Sequence, residues 1–301
     1  PRLICCFYRR AMTVISAPAP WRFRVRTFTW GSRTYLMGIL NITPDSFSDG
    51  GQFDSVERAV VQAKHLVANG TDILDIGGQS TRPGAEPISV EAEKERVLPV
   101  IEAIRADPDD ALNQMVISVD TTEAAVARAA VRAGADMVND ISGGTFDKAM
   151  FSTVADLGVP IILMHIRGNP QTMQQHTDYQ DLIGEIHEFL RHQIDDAIAV
   201  GVTPGQIAVD PGLGFAKTYP QNLAILRSLR EFRDLGCPLL VGPSRKSFIG
   251  WILDQPDPQK RIWGTAAACC GAIAQGADIL RVHDGAEMHD VCRVADAIWR
   301  T

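Results

Sequence analysis

Short apolar runs rich in β-branched residues recur along the chain: YLMGILN (35–41), DILDIGG (72–78), VISVDT (116–121), MVNDIS (137–142), IILMHI (161–166), IAVDPG (207–212), PLLVGPS (238–244) and ILRVHDG (279–285). Between them lie stretches with apolar residues at helical spacing, such as SVERAVVQAKHLVANG (55–70) and EAAVARAAVRAGA (123–135). Gly70 and Gly134 stand where a helix C-terminus favours glycine. Runs that are apolar throughout, rather than alternating, belong to strands buried on both faces, which is the habit of parallel strands covered by helices. Eight such strand–helix units predict a closed (β/α)₈ TIM barrel rather than an open doubly wound sheet. Upstream, WRFRVRTFTWGSRTYL (21–36) alternates Arg with apolar residues and predicts an N-terminal β-hairpin, turning at Gly31-Ser32, that closes the bottom of the barrel. No linker interrupts the chain beyond this hairpin, so residues 21–301 are expected to form a single domain, with residues 1–20 a separate extension.

Composition narrows the class. At 301 residues and 46% hydrophobic, the chain can bury one large core, and it lacks an apolar run of the ~18 residues that a membrane helix needs. The net charge of −7 hides an asymmetry, because residues 1–40 hold seven arginines and no acid, leaving a strongly acidic remainder. An acidic body argues against nucleic-acid binding. The Arg-bearing start fits either an organellar leader or sequence upstream of a start at Met12, and its poverty in Ser favours the second, with a cytoplasmic location. The six cysteines show neither C-x-x-C nor zinc-ligand spacing and are expected to be reduced thiols, Cys269 and Cys270 packing within an apolar helix.

In such a barrel the chemistry lies at the C-terminal ends of the strands. Those ends carry Asn41, Ser80-Thr81-Arg82, Asp120, Asn139-Asp140, His165, Asp210, Ser244-Arg245-Lys246, and Arg281 with His283. Taken alone, Asp120 reads equally as a helix cap and Asp210, before Pro211, as a turn former. Polar residues at all eight ends together point to a ligand. Two carboxylates and an asparagine suit a flat heterocycle with amino and amide edges, while Arg82, Lys246, Arg281 and His283 suit a phosphate or pyrophosphate. A helix starting near Ser244 in GPSRKSFIG would add the backbone N–H groups of Lys246 and Ser247 as a further anion site. GLGFAK (212–217) lacks the third glycine of a dinucleotide fingerprint and the ending of a P-loop. His283, Glu287 and His289 straddle a strand end and a helix start, so a metal site there is not expected.

Seven segments then carry a resemblance, in order: GILNITPDSFSDGG, DIGGQSTRPGA, SVDTTEAAVARAAVRAGADMVNDISGG, IILMHIRGNPQTM, VDPGLGFAKT, GPSRKSFIG and DILRVHDG. Over roughly residues 30–300 the chain resembles the dihydropteroate synthase family. The resemblance implies a transferase in which 4-aminobenzoate displaces pyrophosphate from 6-hydroxymethyl-7,8-dihydropterin diphosphate to give 7,8-dihydropteroate, with Mg²⁺ on the pyrophosphate. It implies pterin binding by Asp120, Asn139, Asp210, Lys246, Met164 and Phe215, with Asp210 on the amino-pyrimidine edge. Pyrophosphate falls to Asn41, Arg82, Arg281 and His283, with Asn41 beside the metal. The 4-aminobenzoate site falls to Phe47, Thr81, Pro83, Phe215 and Ser247, and catalysis to Lys246, Asp45, Asp49 and Arg82. The loops after the first two barrel strands, bearing Asp45, Phe47 and Asp49 and the STRPGA segment, are expected to close over the pterin and exclude water. Sulfonamides are expected to compete with 4-aminobenzoate, and a homodimer through the late helices is expected. Gln79 stands where many members carry Glu. Two other classes share part of the pattern: a pterin-dependent methyltransferase barrel, and a non-catalytic pterin-binding protein. The first has no need of the SFSDGG and STRPG loops or of Arg281 with His283, and the second would have lost a loop or an anion ligand.

Overall fold

The computed structural model describes residues 18–43, 52–82 and 84–300, with backbone only at 52–54. Two short strands, β1 (Trp21–Phe23) and β2 (Arg26–Phe28), precede the eight barrel strands. These are β3 (Tyr35–Asn41), β4 (Ile73–Gly77), β5 (Val116–Asp120), β6 (Met137–Asp140), β7 (Ile161–Met164), β8 (Ile207–Asp210), β9 (Leu240–Val241) and β10 (Ile279–Val282). All eight pair in parallel, in the order β9-β10-β3-β4-β5-β6-β7-β8. A bridge between Val209 and Leu239, with Val209 N–H donating to Pro238 O at 2.9 Å, joins the two edges into the predicted barrel. Strand β9 is only two residues long because Pro238 and Pro243 bracket it and cannot donate to a ladder.

Each barrel strand is followed by helical structure: α1 (Gln52–Ala68), α2 (Val90–Ala106) and the short α3 (Asp110–Asn113), α4 (Ala124–Ala133), α5 (Met150–Leu157), α6 (Leu182–Ala199), α7 (Tyr219–Ser228), α8 (Ser247–Leu253) and α9 (Ile262–Ala274), and α10 (Gly285–Trp299). The period-two alternation of the strands sorts their residues into two cores. Leu74, Ile76, Ile117, Val119, Leu163, Val209 and Leu280 face outward and pack with the helices in one apolar shell. Met37, Ile73, Val116, Met137, Ile162, Ala208, Leu240 and Ile279 face inward and form the lower layer of the interior.

The hairpin seals that layer. Trp21, Phe23, Phe28, Trp30 and Tyr35 join the inner cluster, with Phe28 stacked on Tyr35 at 4.5 Å and Trp21 edge-on to Trp30 at 5.0 Å. Its turn is not at Gly31-Ser32. Trp21 pairs with Phe28 and Phe23 with Arg26, so the two-residue turn is Arg24-Val25, with Arg24 at φ 46°. Only this register buries Trp21, Phe23 and Phe28 together on one side, and that burial outweighs the positive φ of a non-glycine residue. The arginines here are structural: Arg33 makes a two-pronged pair with Asp72 (2.6 and 2.9 Å), and Arg24 and Arg105 share Asp136 at 3.0 and 2.6 Å. Among the described residues no helix is long and apolar enough to cross a membrane.

Candidate active site

Two residues along from the apolar layer, the inward positions change character. Ile73 is succeeded by Asp75, Ala208 by Asp210, Met137 by Asn139 and Ile279 by Arg281, while β5 runs Val116, Ser118, Asp120. Arg281 joins them: Nε donates to Asp75 Oδ2 and Nη2 to Asp120 Oδ2, each at 2.6 Å. Asn139 Nδ2 donates to the same Asp75 oxygen at 3.1 Å. Asp75 is wholly buried, so the triad holds two acids and one base away from water. Burial raises the Asp120 pKa well above the carboxylate range, partly offset by Arg281. Burial opposes the Arg281 charge too, but Asp75 and Asp120 outweigh it and hold the guanidinium firmly charged.

The opposite wall is built from the β8–α7 and β9–α8 segments. Asp210 Oδ1 accepts from Gly212 N–H at 2.7 Å. Burial pushes the Asp210 carboxyl up to about 6, against the pull of that N–H and of Lys246. Lys246 lies with Nζ 4.3 Å from the Phe215 ring centre, and burial with Arg281 nearby brings its pKa down to about 8. Phe215 belongs to a small apolar cluster with Ile141, Met164 and Met173. The arrangement offers polar acceptors beside an apolar wall, with cations alongside.

His283, at the end of β10, is bound to Ser244: its backbone N–H donates to Ser244 Oγ at 3.1 Å, and the same hydroxyl hydrogen-bonds the ring Nδ1 at 3.0 Å. Burial, followed by Arg245 and Arg281, drives the imidazole pKa down to about 3, so the ring is neutral. A neutral ring can still offer an N–H to an anionic ligand. The anion nest expected at Ser244 also differs. Helix α8 starts at Ser247, Lys246 is its N-cap residue, and Lys246 N–H is already donated to Pro243 O at 3.3 Å. Arg245 takes φ 58° in the intervening turn, where its side chain pairs with Asp284.

Asn41 is the last residue of β3, half-buried at the mouth. Thr81 is half-buried and Arg82 exposed on the loop after β4, and Ser247 is exposed. Asp45, Phe47, Asp49 and Pro83 lie outside the described residues. A cavity of about 200 Å³ opens beside the mouth, lined among others by Thr81, Glu93, Asp120, Ile141 and Phe146. Among the described residues there is no group of three or more His, Cys, Asp or Glu placed to hold a metal.

A family model described as pterin binding enzyme matches residues 37–283. Dihydropteroate synthase from Synechocystis is 60% identical over 94% of this chain and 96% of its own length. The chain belongs to the dihydropteroate synthase family of pterin-binding enzymes. Among solved family structures, the Xanthomonas albilineans synthase with 4-aminobenzoic acid superposes with a TM-score of 0.86 at 40% identity, covering 95% of this chain and 100% of that one. The same enzyme with 7,8-dihydropteroate gives a TM-score of 0.83 at 38% identity, covering 94% and 100%.

Three buried residues of this family member escape a reading of strand ends. Asp75 sits mid-strand in DILDIGG, where the only signal is an acid inside an apolar run. Glu93, on α2, is buried against the cavity with Oε1 unpartnered, and burial raises its carboxyl to about 7. Lys217, the last charge of GLGFAK, is buried within the β8–α7 segment.

Proposed function

We infer that this protein condenses 6-hydroxymethyl-7,8-dihydropterin diphosphate with 4-aminobenzoate to give 7,8-dihydropteroate and pyrophosphate. The observation that carries this reading is the convergence of Asp120, Asn139, Asp210 and Lys246 with Arg281 and His283 at one barrel mouth, in a chain of this family.

In this reading Asp210 accepts from the amino-pyrimidine edge of the pterin, and Asp120 and Asn139 take the remaining polar positions of the ring. Met164 and Phe215 supply the apolar wall, and Lys246 lies over the face of Phe215. The aniline nitrogen of 4-aminobenzoate attacks the pterin methylene as its C–O bond to the diphosphate breaks. Positive charge gathering on the methylene is favoured by the nearby carboxylates, and negative charge on the departing diphosphate by Arg281 and the His283 N–H. Thr81 and Ser247, with Phe47 and Pro83, are assigned to 4-aminobenzoate. Arg82, Asp45 and Asp49 are assigned to completing the site. The aniline is a competent nucleophile, so this chain's residues act by positioning and electrostatics with no covalent enzyme intermediate.

Mg²⁺ fits as a diphosphate-bound ion. The mouth offers it the single amide oxygen of Asn41 and no cage of carboxylates among the described residues, which is the donor set of a magnesium that takes most of its ligands from phosphate and water. When bound, it neutralises charge on the leaving diphosphate.

A second copy of the chain is the partner we assign to the exposed apolar residues of the late helices, where Trp251 on α8 is 57% exposed and Trp263 on α9 is 80% exposed. The free thiols Cys237, Cys269 and Cys292, all buried, suit a reducing cytoplasm.

The reaction is tested by following pyrophosphate release from dihydropterin diphosphate and Mg²⁺, with and without 4-aminobenzoate, and by detecting dihydropteroate. Release that requires 4-aminobenzoate is expected. No release from protein that still binds the pterin would favour the non-catalytic or methyl-carrying barrels.

A further inference from the structure

One buried lysine takes no part in the proposed reaction. Lys217 is 2% exposed, and its Nζ reaches His165 at two points, Nδ1 at 2.8 Å and the backbone O at 3.3 Å. His165 follows Met164 at the end of β7, is itself 2% exposed, and donates its backbone N–H to Asp210 O at 2.9 Å. Its ring sits edge-on to Phe189 at 4.9 Å. The segment from Asp210 to Lys217 therefore crosses back onto β7. At Gly212, with φ +74°, a Cβ would stand 2.0 Å from His165 O, so only glycine permits the crossing.

We propose that Lys217 is a positioning residue for the pterin slot, clamping the end of β7 to the β8–α7 segment through His165 and so fixing Met164, Asp210 and Phe215 relative to one another. Three contacts bracket the clamp: His165 N–H to Asp210 O, Gly212 N–H to Asp210 Oδ1, and Lys217 to His165. Met164 precedes His165 by one residue and Phe215 precedes Lys217 by two, so both slot walls move with the clamped atoms.

The choice of lysine is otherwise unexplained, because an amine here is costly. Burial holds its pKa well below the usual lysine range, Asp210 opposes that shift, and Lys246 and Arg167 add to it. Burial also drives His165 down to about 2, followed by Lys217 and Arg167, so the imidazole is neutral and has a lone pair to offer. Lys217 donating to Nδ1 places the His165 ring proton on Nε2. A methionine would fill the same space without the cost of desolvating an amine but could not bond His165 Nδ1 or O, so what the amine adds is the tie between the two segments.

This rests on the pterin reading of the slot, and the test separates the two. Calorimetric binding of dihydropterin diphosphate is compared in the wild type, Lys217→Met, His165→Leu and the double variant, with the melting temperature of each. Side-chain ¹⁵N NMR of histidine-labelled protein gives the His165 tautomer. The proposal expects Lys217→Met to weaken pterin binding about tenfold, to melt no lower than the wild type, and to lose the single Nε2–H tautomer of His165. It expects the double variant to bind no more weakly than Lys217→Met alone, since the two residues act as one unit. Unchanged affinity in Lys217→Met, or an Nδ1–H tautomer in the wild type, would overturn it. Lys217→Gln, which keeps a donor, is expected to bind the pterin more tightly than Lys217→Met, and binding no tighter than Lys217→Met would count against the clamp. Failure of both Lys217 variants to fold would make the residue structural and overturn the proposal. Wild-type protein that does not bind the pterin would overturn the site reading itself, and this proposal with it.

Discussion

The two ends of the barrel are made by the same strands, two to four residues apart. At the N-terminal end the inward positions are Met37, Ile73, Val116, Met137, Ile162, Ala208, Leu240 and Ile279, capped by five aromatic side chains of the hairpin region. Toward the C-terminal end the inward positions include Asp75, Asp120, Asn139, Asp210 and Arg281, where burial works against ionisation of Asp120 and Asp210. At the bottom, burial and hydrogen bonding act in the same direction. Trp21 Nε1–H reaches Gly205 O at 2.5 Å and Trp30 Nε1–H reaches Ala19 O at 2.9 Å, so the aromatic plug leaves both indole donors satisfied. At the mouth, charge is held in place by neighbouring charge at the expense of desolvation. The difference teaches that the bottom is built for stability and the mouth for a ligand.

The largest effect expected from breaking this contrast is at the bottom. Phe28→Ala removes a ring that is 1% exposed and packs on Phe23, Trp30 and Tyr35, and it should lower stability by about 3–5 kcal/mol. Denaturant unfolding measures this, and pterin affinity of the folded fraction should not change. Asp210→Asn should do the reverse. It replaces a two-acceptor edge with a mixed donor and acceptor, so pterin binding should weaken by about 1.5–3 kcal/mol, roughly 10- to 150-fold, by calorimetry. Its stability should be equal or higher, because a buried carboxylate is relieved.

The smallest effect sharpens the contrast through pH. The folded pKa of Asp210 is raised from an ordinary 3.8 to about 6, and that of Asp120 is raised as well, so the folded state holds more protons than the unfolded one between those limits. The sign follows: these groups favour folding most below about pH 4, and that contribution is lost as pH rises through about 6 for Asp210 and about 7 for Asp120. In the proposed site Asp210 accepts from the pterin as a carboxylate, so affinity should rise over the same window, by about tenfold per pH unit below pH 6. Unfolding and binding titrations on the same samples should therefore have opposite slopes.

Much of this molecule was legible in its sequence because parallel barrel strands leave a simple trace. An apolar run ending in Asp, Asn, His or Arg marks both the strand and the mouth, and Asp120, Asn139, Asp210 and Arg281 meet there through contacts to one another or to shared neighbours. What stayed hidden depended on partners distant in the chain. Asp75 looks like an interruption of its strand until Arg281, 206 residues away, is seen to neutralise it. The hairpin turn could not be placed from Gly31-Ser32, since the register is set by which aromatics reach the barrel bottom, and that selects Arg24-Val25. The helix after β9 begins three residues later than the serine at position 244 signals, because Ser244 is engaged with His283 across the mouth. Lys217 has no role visible in the sequence of GLGFAK, because its partner His165 lies on another strand and only the fold buries the two together.

The central claim is that stability and pterin recognition have been assigned to opposite ends of one set of strands. It is tested most directly by measuring the unfolding free energy and the affinity for dihydropterin diphosphate of Phe28→Ala and Asp210→Asn side by side. A crossed pattern is expected, with Phe28→Ala losing stability and keeping affinity, and Asp210→Asn losing affinity and keeping stability. Parallel losses of both quantities in both variants would contradict it.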